Sequence, residues 1–600
     1  MNDRPKLGAL VEGDHTRFSL FSCSATRCSV RLFDASGRRT RERELDALGG
    51  GYFSAQLPGA GHGTRYKFVL DERELTDPYA RFLPEGVHGA AMVVEPSHRF
   101  EHQRPAPRPL FEHVLYELHI GTFTPEGTYS AAAQKLRYLA DLGITLLELM
   151  PLSSFPGARG WGYDGVAHFA PYAPYGDPDS LRRFIDQAHG CGLGVIIDVV
   201  YNHFGPSGNY LGAYSPRYFT KEYQNAWGES PHYFELPMRR YVVDNALYWL
   251  EEFECDGLRL DAVHAIFDPS PVHIIRELTD AVRARVPHAL LFAEDERNDP
   301  ADVEQLGCDA IWADDFHHQL RVTLTGERDG YYAAYEPGVA GLARVIERGW
   351  LYEGQDFASP GRVRGQPADT LPAEAFVYCI QNHDQIGNRA LGTRLCHDTA
   401  LDSYCLASVL LLFLPMTPLI FMGQEWAAST PFLFFTDHDQ ELGALVTAGR
   451  HREFAHFAAF SSEQGRLSIP DPQAWETLER SRLRWDESAL EPHAKVVELY
   501  RELLLLRRND AVLARRCTRE DLVTCAQGEL LAIRRSAGDG SGTRLLLANF
   551  GTRDLPVAGA PWFEQPSQVL FSLGASTTER IAARGALILA TGIGTGAPAP

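Results

Sequence analysis

Gly257-Leu258-Arg259-Leu260-Asp261-Ala262 is the stretch whose reading decides the fold. A short apolar run carries an arginine and, two residues on, an aspartate. In a β-strand both side chains leave by the same face. Two further apolar runs end in a similar way. Leu290 to Ala293 runs into Glu294, and Phe376 to Ile380 runs into Gln381-Asn382-His383-Asp384. Three strands would then each deliver a carboxylate, Asp261, Glu294 and Asp384, at the C-terminal end. A parallel barrel builds its active site at that end of its strands.

Outward from this stretch, eight apolar runs alternate with amphipathic segments: 114–120, 144–150, 195–201, 257–262, 290–294, 310–314, 376–382 and 418–422. The alternation predicts an α/β fold, a (β/α)8 TIM barrel over residues 110–508 with loop insertions. No Gly-rich phosphate loop follows the first run, which argues against a doubly wound nucleotide-binding sheet. The long apolar run Leu406 to Met422 is divided by Pro415 and Pro418. It reads as a barrel helix and the next barrel strand rather than a membrane span. His493 to Arg508 has the pattern of the last barrel helix, and Trp426 to Leu490 shows little periodicity.

Residues 1–103 alternate in short runs separated by Gly-rich turns (Arg17 to Phe21, Cys28 to Phe33, Tyr52 to Leu57, Arg65 to Leu70), the pattern of an N-terminal β-sandwich. Packing and glucan binding fit this unit equally well. A Pro-rich linker from Arg104 to Pro109 separates it from the barrel. Short strands return over 509–600, a C-terminal β-sheet domain.

The 600 residues include 57 Lys and Arg against 78 Asp and Glu, a net charge of −21. Such a surface argues against nucleic acid and anionic membranes as partners and suits a neutral substrate. The ten cysteines show no CxxC and no zinc spacing. Buried free thiols in a reducing cytoplasm are expected. Met1 to Glu12 lacks a basic start followed by an apolar stretch, so no leader is expected.

Two carboxyls in one cleft can break a glycosidic bond, one attacking the anomeric carbon and the other protonating the leaving oxygen. Arg259 would keep Asp261 ionised. Burial and the acidic run Glu294-Asp295-Glu296 would keep Glu294 protonated. Asp384, His203 and His383 suit sugar hydroxyls. Each has a plainer reading. A lone Arg-x-Asp is commonly a structural ion pair, Asp384 could cap a helix, and Asp198, inside an apolar strand, reads as architectural. The plain readings fail jointly, because the polar residues gather at the same strand ends.

The runs Asp198 to His203, Gly257 to Ala262, Ala293-Glu294-Asp295 and Asn382-His383-Asp384 resemble the four signature regions of the α-amylase superfamily. The resemblance implies that Asp261 is the nucleophile, Glu294 the general acid/base and Asp384 the transition-state stabiliser, with Tyr163 the platform under the cleaved sugar. It implies retention of configuration, hence carboxyls about 5–5.5 Å apart. Asp77-Pro78-Tyr79-Ala80 resembles the matching segment of glycogen-branching and debranching enzymes. The closer likeness is to the trehalose-releasing branch of the superfamily. It covers nearly the whole chain and rests on Gly160 to Gly165, Tyr201 to Tyr210, Trp312 to His318, Gln381 to Arg389 and Gly423 to Phe432.

That likeness implies hydrolysis of the α-1,4 bond beside the terminal trehalose of malto-oligosyltrehalose, with a malto-oligosyltrehalose synthase supplying the substrate. The substrate-binding residues expected are Tyr163, Asp164, His203, Trp227, Arg259, His264, Asp315, His383 and Gln385. Trp227, Tyr331, Tyr332 and Phe357 are aromatics on strand-end insertions, where gripping the trehalose end and plain core or loop packing fit each equally well. Asn202 matches a calcium-ligand position of some α-amylases, but no cluster of acidic ligands accompanies it, so neither metal nor cofactor is expected. The alternatives are a branching or isoamylase-type debranching enzyme, or a non-catalytic α-glucan-binding protein.

Overall fold

The computed structural model describes residues 4–225, 228–358, 361–454, 460, 462–538, 542–564 and 568–591. Eight strands close into one parallel barrel in sequence order. They are β1 Leu115–Leu118, β2 Leu146–Leu149, β3 Gly194–Val199, β4 Gly257–Leu260, β5 Leu290–Glu294, β6 Ala310–Trp312, β7 Phe376–Cys379 and β8 Thr417–Phe421. Closure is made where Leu115 of β1 pairs with Leu419 of β8.

Strands covered on both faces read as continuous apolar runs, and this is why the eight runs stand out in the sequence. Inside the barrel Leu115, Leu146, Ile196, Phe292, Trp312 and Leu419 belong to one apolar plug. Two residues further along, the same faces become ionisable. Glu117 follows Leu115, Glu148 follows Leu146, Asp198 follows Ile196 and Glu294 follows Phe292. Strand alternation therefore sets a charged floor directly on an apolar plug. Arg259 joins this floor from β4, two residues after Gly257. A Cβ at Gly257 would lie 2.3 Å from the Leu290 carbonyl oxygen and 2.8 Å from Cγ2 of Ile196. Only a bare α-carbon lets β4 fit between β3 and β5 there.

The outer shell is helical. Helix Pro178–Gly190 starts with Asp177 accepting the backbone N–H of Ser180 and with proline in its first turn. Helix Leu401–Phe413 is apolar nearly all round, as a helix covered on every side must be. Helix His493–Asn509 packs on it. The apolar run at 406–422 is thus the end of this helix followed by β8. No helix among the described residues is long and apolar enough to cross a membrane.

Before the barrel lie two antiparallel sheets. One has the order Gly8–Glu12, His15–Phe21, Tyr52–Pro58, Asp46–Gly49, and the other contains Arg39–Glu44, Cys28–Phe33, Arg65–Leu70 and Arg73–Leu75. They are fixed to the barrel's flank through Asp77 and Tyr79. Tyr66 donates to Asp77 at 2.7 Å, and the Tyr79 ring stacks on Phe169 at 5.0 Å. After the barrel comes a five-stranded antiparallel sheet in the order Leu522–Gln527, Leu530–Ser536, Thr543–Asn549, Ala586–Thr591, Gln568–Leu573.

The stretch expected to lack periodicity contains a regular helix, Gln440–Phe454. Its buried residues are Gly443 and Phe454, so it writes no apolar stripe at the helical period. All ten cysteines are free thiols.

Gly257→Ala should cost about 1–3 kcal/mol through overpacking. Differential scanning calorimetry should show a lower midpoint for the barrel transition. An unchanged midpoint would mean that β3 and β5 separate at no cost.

Candidate active site

The site is assembled around Arg259, which is fully buried with its guanidinium 4.4 Å from the Trp312 ring. Nη1 donates to Asp198 at 2.7 Å and to Asp261 Oδ1 at 2.8 Å. Nη2 lies 2.8 Å from Glu294 Oε2. Asp261 stands just past the end of β4. Its second oxygen accepts the Asn202 side-chain amide at 2.7 Å, and the same amide donates to its backbone carbonyl at 2.9 Å. Ala262 then turns the chain with a φ of 41°, a left-handed conformation costing on the order of 1–3 kcal/mol in a residue with a side chain. This turn aims the Ala262 N–H at Glu294 Oε2, 2.9 Å away.

One cation beside several buried carboxyls forces them apart in acidity. Burial pushes the Asp261 carboxyl up, but Arg259, His203 and the Asn202 hydrogen bond outweigh it and hold it below the usual range. Burial pushes Glu294 well above that range. Arg259 opposes the rise, while the charges of Asp261, Asp384 and Asp314 add to it. Of the acidic neighbours expected to help, Asp295 is instead tied to Arg297 at 2.9 Å. Burial also lifts Asp198, to about 6. Two carboxyls driven in opposite directions are suited to one ionised and one proton-donating role.

Asp384 lies in the first turn of helix His383–Gly387. It does not cap that helix. Asn382 does, accepting the Gln385 N–H at 2.8 Å. Asp384 is thus left to face the cleft, 3.4 Å from His383 Nε2 and accepting from Asn388 at 3.1 Å. Burial raises its carboxyl, while His383 and Arg259 restrain the rise. The Tyr163 ring stacks on His383 at 5.1 Å with an 18° tilt, and its hydroxyl donates to Asp198 at 2.6 Å.

Above this floor opens a cleft of about 1620 Å³. Glu294 and Asp384 reach it, together with His264, Gln385, Tyr331, Tyr332 and Phe357. His203 is buried beside Asp261, its Nε2 3.0 Å from the Tyr163 backbone carbonyl oxygen and its Nδ1 on the side-chain Oδ1 of Asn202. Asp164 faces His438 at 3.6 Å. Asp315 does not reach the cleft. It is fully buried and accepts from Asn298, Tyr335 and the backbone N–H groups of Leu351 and Tyr352. Its neighbour Asp314 lines the cleft instead, since consecutive helical residues point in different directions. Trp227 lies outside the described residues.

Several residues at the site were not anticipated, Glu117, Glu148, Arg450 and Glu453 among them. Glu117 and Glu148 lie in the barrel floor, and Arg450 and Glu453 of helix Gln440–Phe454 line the cleft. The signal for the glutamates was present: a carboxylate inside a strand buried on both faces can only point into the barrel. Asn202 spends its amide on Asp261. Among the described residues no group of three or more His, Cys, Asp or Glu is arranged to hold a metal ion.

Arg259→Met strands Asp198, Asp261 and Glu294 without their cation and should cost about 3–5 kcal/mol. In the variant the folded carboxyls bind protons more tightly than the unfolded ones. Its stability therefore falls as pH rises above the unfolded values. The loss in thermal midpoint relative to the parent should be larger at pH 8 than at pH 5. The opposite order would contradict the placement of Arg259 as the shared cation.

Residues 6–80 match the family model of carbohydrate-binding module 48 (isoamylase N-terminal domain), and residues 120–223 match that of the alpha amylase catalytic domain. The malto-oligosyltrehalose trehalohydrolase of Deinococcus radiodurans is 50% identical over 568 residues, which cover 92% of this chain and 91% of the relative. Its namesake from Saccharolobus solfataricus is 37% identical over 511 residues, 84% of this chain and 86% of the relative. A crystal structure of a putative alpha amylase from Salmonella typhimurium aligns with a TM-score of 0.89 at 36% identity, covering 98% of this chain and 99% of that one. The chain belongs to the malto-oligosyltrehalose trehalohydrolase family, glycoside hydrolases of the α-amylase superfamily.

Proposed function

We propose that the protein hydrolyses the α-1,4-glucosidic bond next to the terminal trehalose of malto-oligosyltrehalose, releasing trehalose and a maltooligosaccharide. The observation that carries this reading is the pair of carboxyls sharing Arg259, one held below and one well above the usual carboxylate range. The Deinococcus and Saccharolobus relatives carry this activity in their names.

Asp261 attacks the anomeric carbon as the carbon–oxygen bond breaks and the Glu294 proton passes to the leaving trehalose oxygen. Water then opens the glycosyl-Asp261 ester and returns a proton to Glu294, so configuration is retained. Asp384 steadies the distorted sugar, Tyr163 stacks beneath it, and His203, His383, His264 and Gln385 meet its hydroxyls or hold the groups that do. A cleft of about 1620 Å³ exceeds the roughly 300–1,000 Å³ of common small-molecule pockets, which suits an oligosaccharide.

In this reading residues 1–103, 110–508 and 509–600 form three units, of which the second performs the reaction. A malto-oligosyltrehalose synthase supplies the substrate in the cytoplasm without a lasting complex.

Incubation with maltopentaosyl-trehalose should yield free trehalose by chromatography and a maltooligosaccharide that first appears as the α-anomer by proton NMR. Asp261→Ala should abolish hydrolysis while glucan binding persists. Unchanged hydrolysis by that variant would sink the assignment of the nucleophile. Branched glucan or debranched linear chains as products would point to the branching or debranching activities instead.

A further inference from the structure

Below the cleft, four side chains from different parts of the barrel form one hydrogen-bonded line. Glu117 of β1 is at one end. One of its oxygens accepts the His383 backbone N–H at 3.0 Å and the other meets His383 Nδ1. Nε2 of the same ring lies 2.8 Å from the Tyr163 hydroxyl, which lies 2.6 Å from Asp198. Glu117, His383 and Asp198 are all buried.

Proton counting fixes the charge of this line. It contains three hydrogen bonds, and each needs one proton. The two ends are carboxylates, which when ionised only accept. One Glu117 oxygen accepts the His383 backbone N–H, and the Asp198 oxygen that accepts from Tyr163 also accepts from Arg259, as befits ionised ends. Tyr163 brings one proton. With both end carboxyls ionised, the other two sit on the two nitrogens of His383.

Several ionisable groups face this ring. Glu117 comes from β1, Glu148 from β2, Arg259 from β4, Asp384 from its own helix, and His119 from the segment after β1. Burial opposes the charge and Arg259 repels it. Asp384 and Glu117 favour it, and the balance carries the ring to about 10. Glu148 pairs with Glu117 in register, and neither of its oxygens has a hydrogen-bond partner among the described residues. Burial and the charge of Glu117 push it well above the usual range. Its hold on a proton weakens its competition with Glu117 for the cation.

We propose that Glu117 is a positioning residue that holds His383 as an imidazolium, so that a fixed positive charge stands 3.4 Å from Asp384 and the Tyr163 ring keeps its place. This rests on the reading of Asp384 as an ionised group acting on the sugar.

Glu117→Gln keeps the size and offers an acceptor but removes the charge. His383 should lose a proton and Asp384 its cation. The Asp384 carboxyl then rises, and the acidic limb of kcat/KM moves to higher pH by about one unit, a tenfold loss at the foot of that limb. A profile merely scaled down, with its limbs unmoved, would overturn the proposal. A second measurement needs neither the variant nor activity. In protein carrying ring-15N histidine at pH 8, an ordinary histidine is neutral, and burial holds His113, His119 and His168 far below that pH. One ring protonated on both nitrogens, absent in His383→Asn, supports the proposal. Finding no such ring refutes it. A protein that shows the charged ring yet cleaves no α-glucan supports this inference and refutes only the hydrolase reading.

Discussion

A single buried guanidinium governs the site. Arg259 has no exposed surface, yet Asp198, Asp261 and Glu294 all lie within 2.8 Å of its terminal nitrogens. One positive charge cannot compensate three negative ones out of water. At least one carboxyl must keep its proton, because an uncompensated buried charge costs several kcal/mol. Geometry decides which. Asp261 has a second donor in Asn202, whereas Glu294 is bracketed by further carboxylates. The difference in acidity between the two carboxyls is thus a consequence of undersupplying cations to a buried floor.

The barrel makes this floor possible. Its alternation places apolar residues below and ionisable ones above on the same strand faces, and the plug beneath excludes water from the lower side. The walls are made differently. Asp315 gathers Asn298, Tyr335, Arg364 and the backbone of Leu351 and Tyr352 around one carboxylate. It thereby fixes the loops that carry Tyr331, Tyr332 and Phe357 into the cleft. Its part in the structure is the shape of that wall.

The barrel was legible because parallel strands covered on both faces need uninterrupted apolar runs, and eight such runs stand in the sequence. Asp261, Glu294 and Asp384 were legible because each follows such a run. Glu117 and Glu148 carried a fainter signal and were passed over, for a corresponding reason. Each lies within its run, and a single carboxylate there has the look of an interruption. Helix Gln440–Phe454 was missed because a helix lining an open cleft buries too little to print its period. The acidic run after Glu294 misled. A chain leaving a strand turns consecutive side chains apart, so Asp295 faces Arg297 while the relevant charges come from β4 and from distant segments.

The left-handed turn at Ala262 has a further consequence. Its peptide N–H points at Glu294, 2.9 Å from Oε2. In the proposed cycle Glu294 alternates between a neutral acid and a carboxylate. An N–H fixed at hydrogen-bond distance gains strength when its acceptor becomes charged. The contact is therefore slack before bond cleavage and tight while the glycosyl-enzyme exists. The strained peptide acts as a solvent molecule that never has to reorient, and the covalent stage is the one it favours.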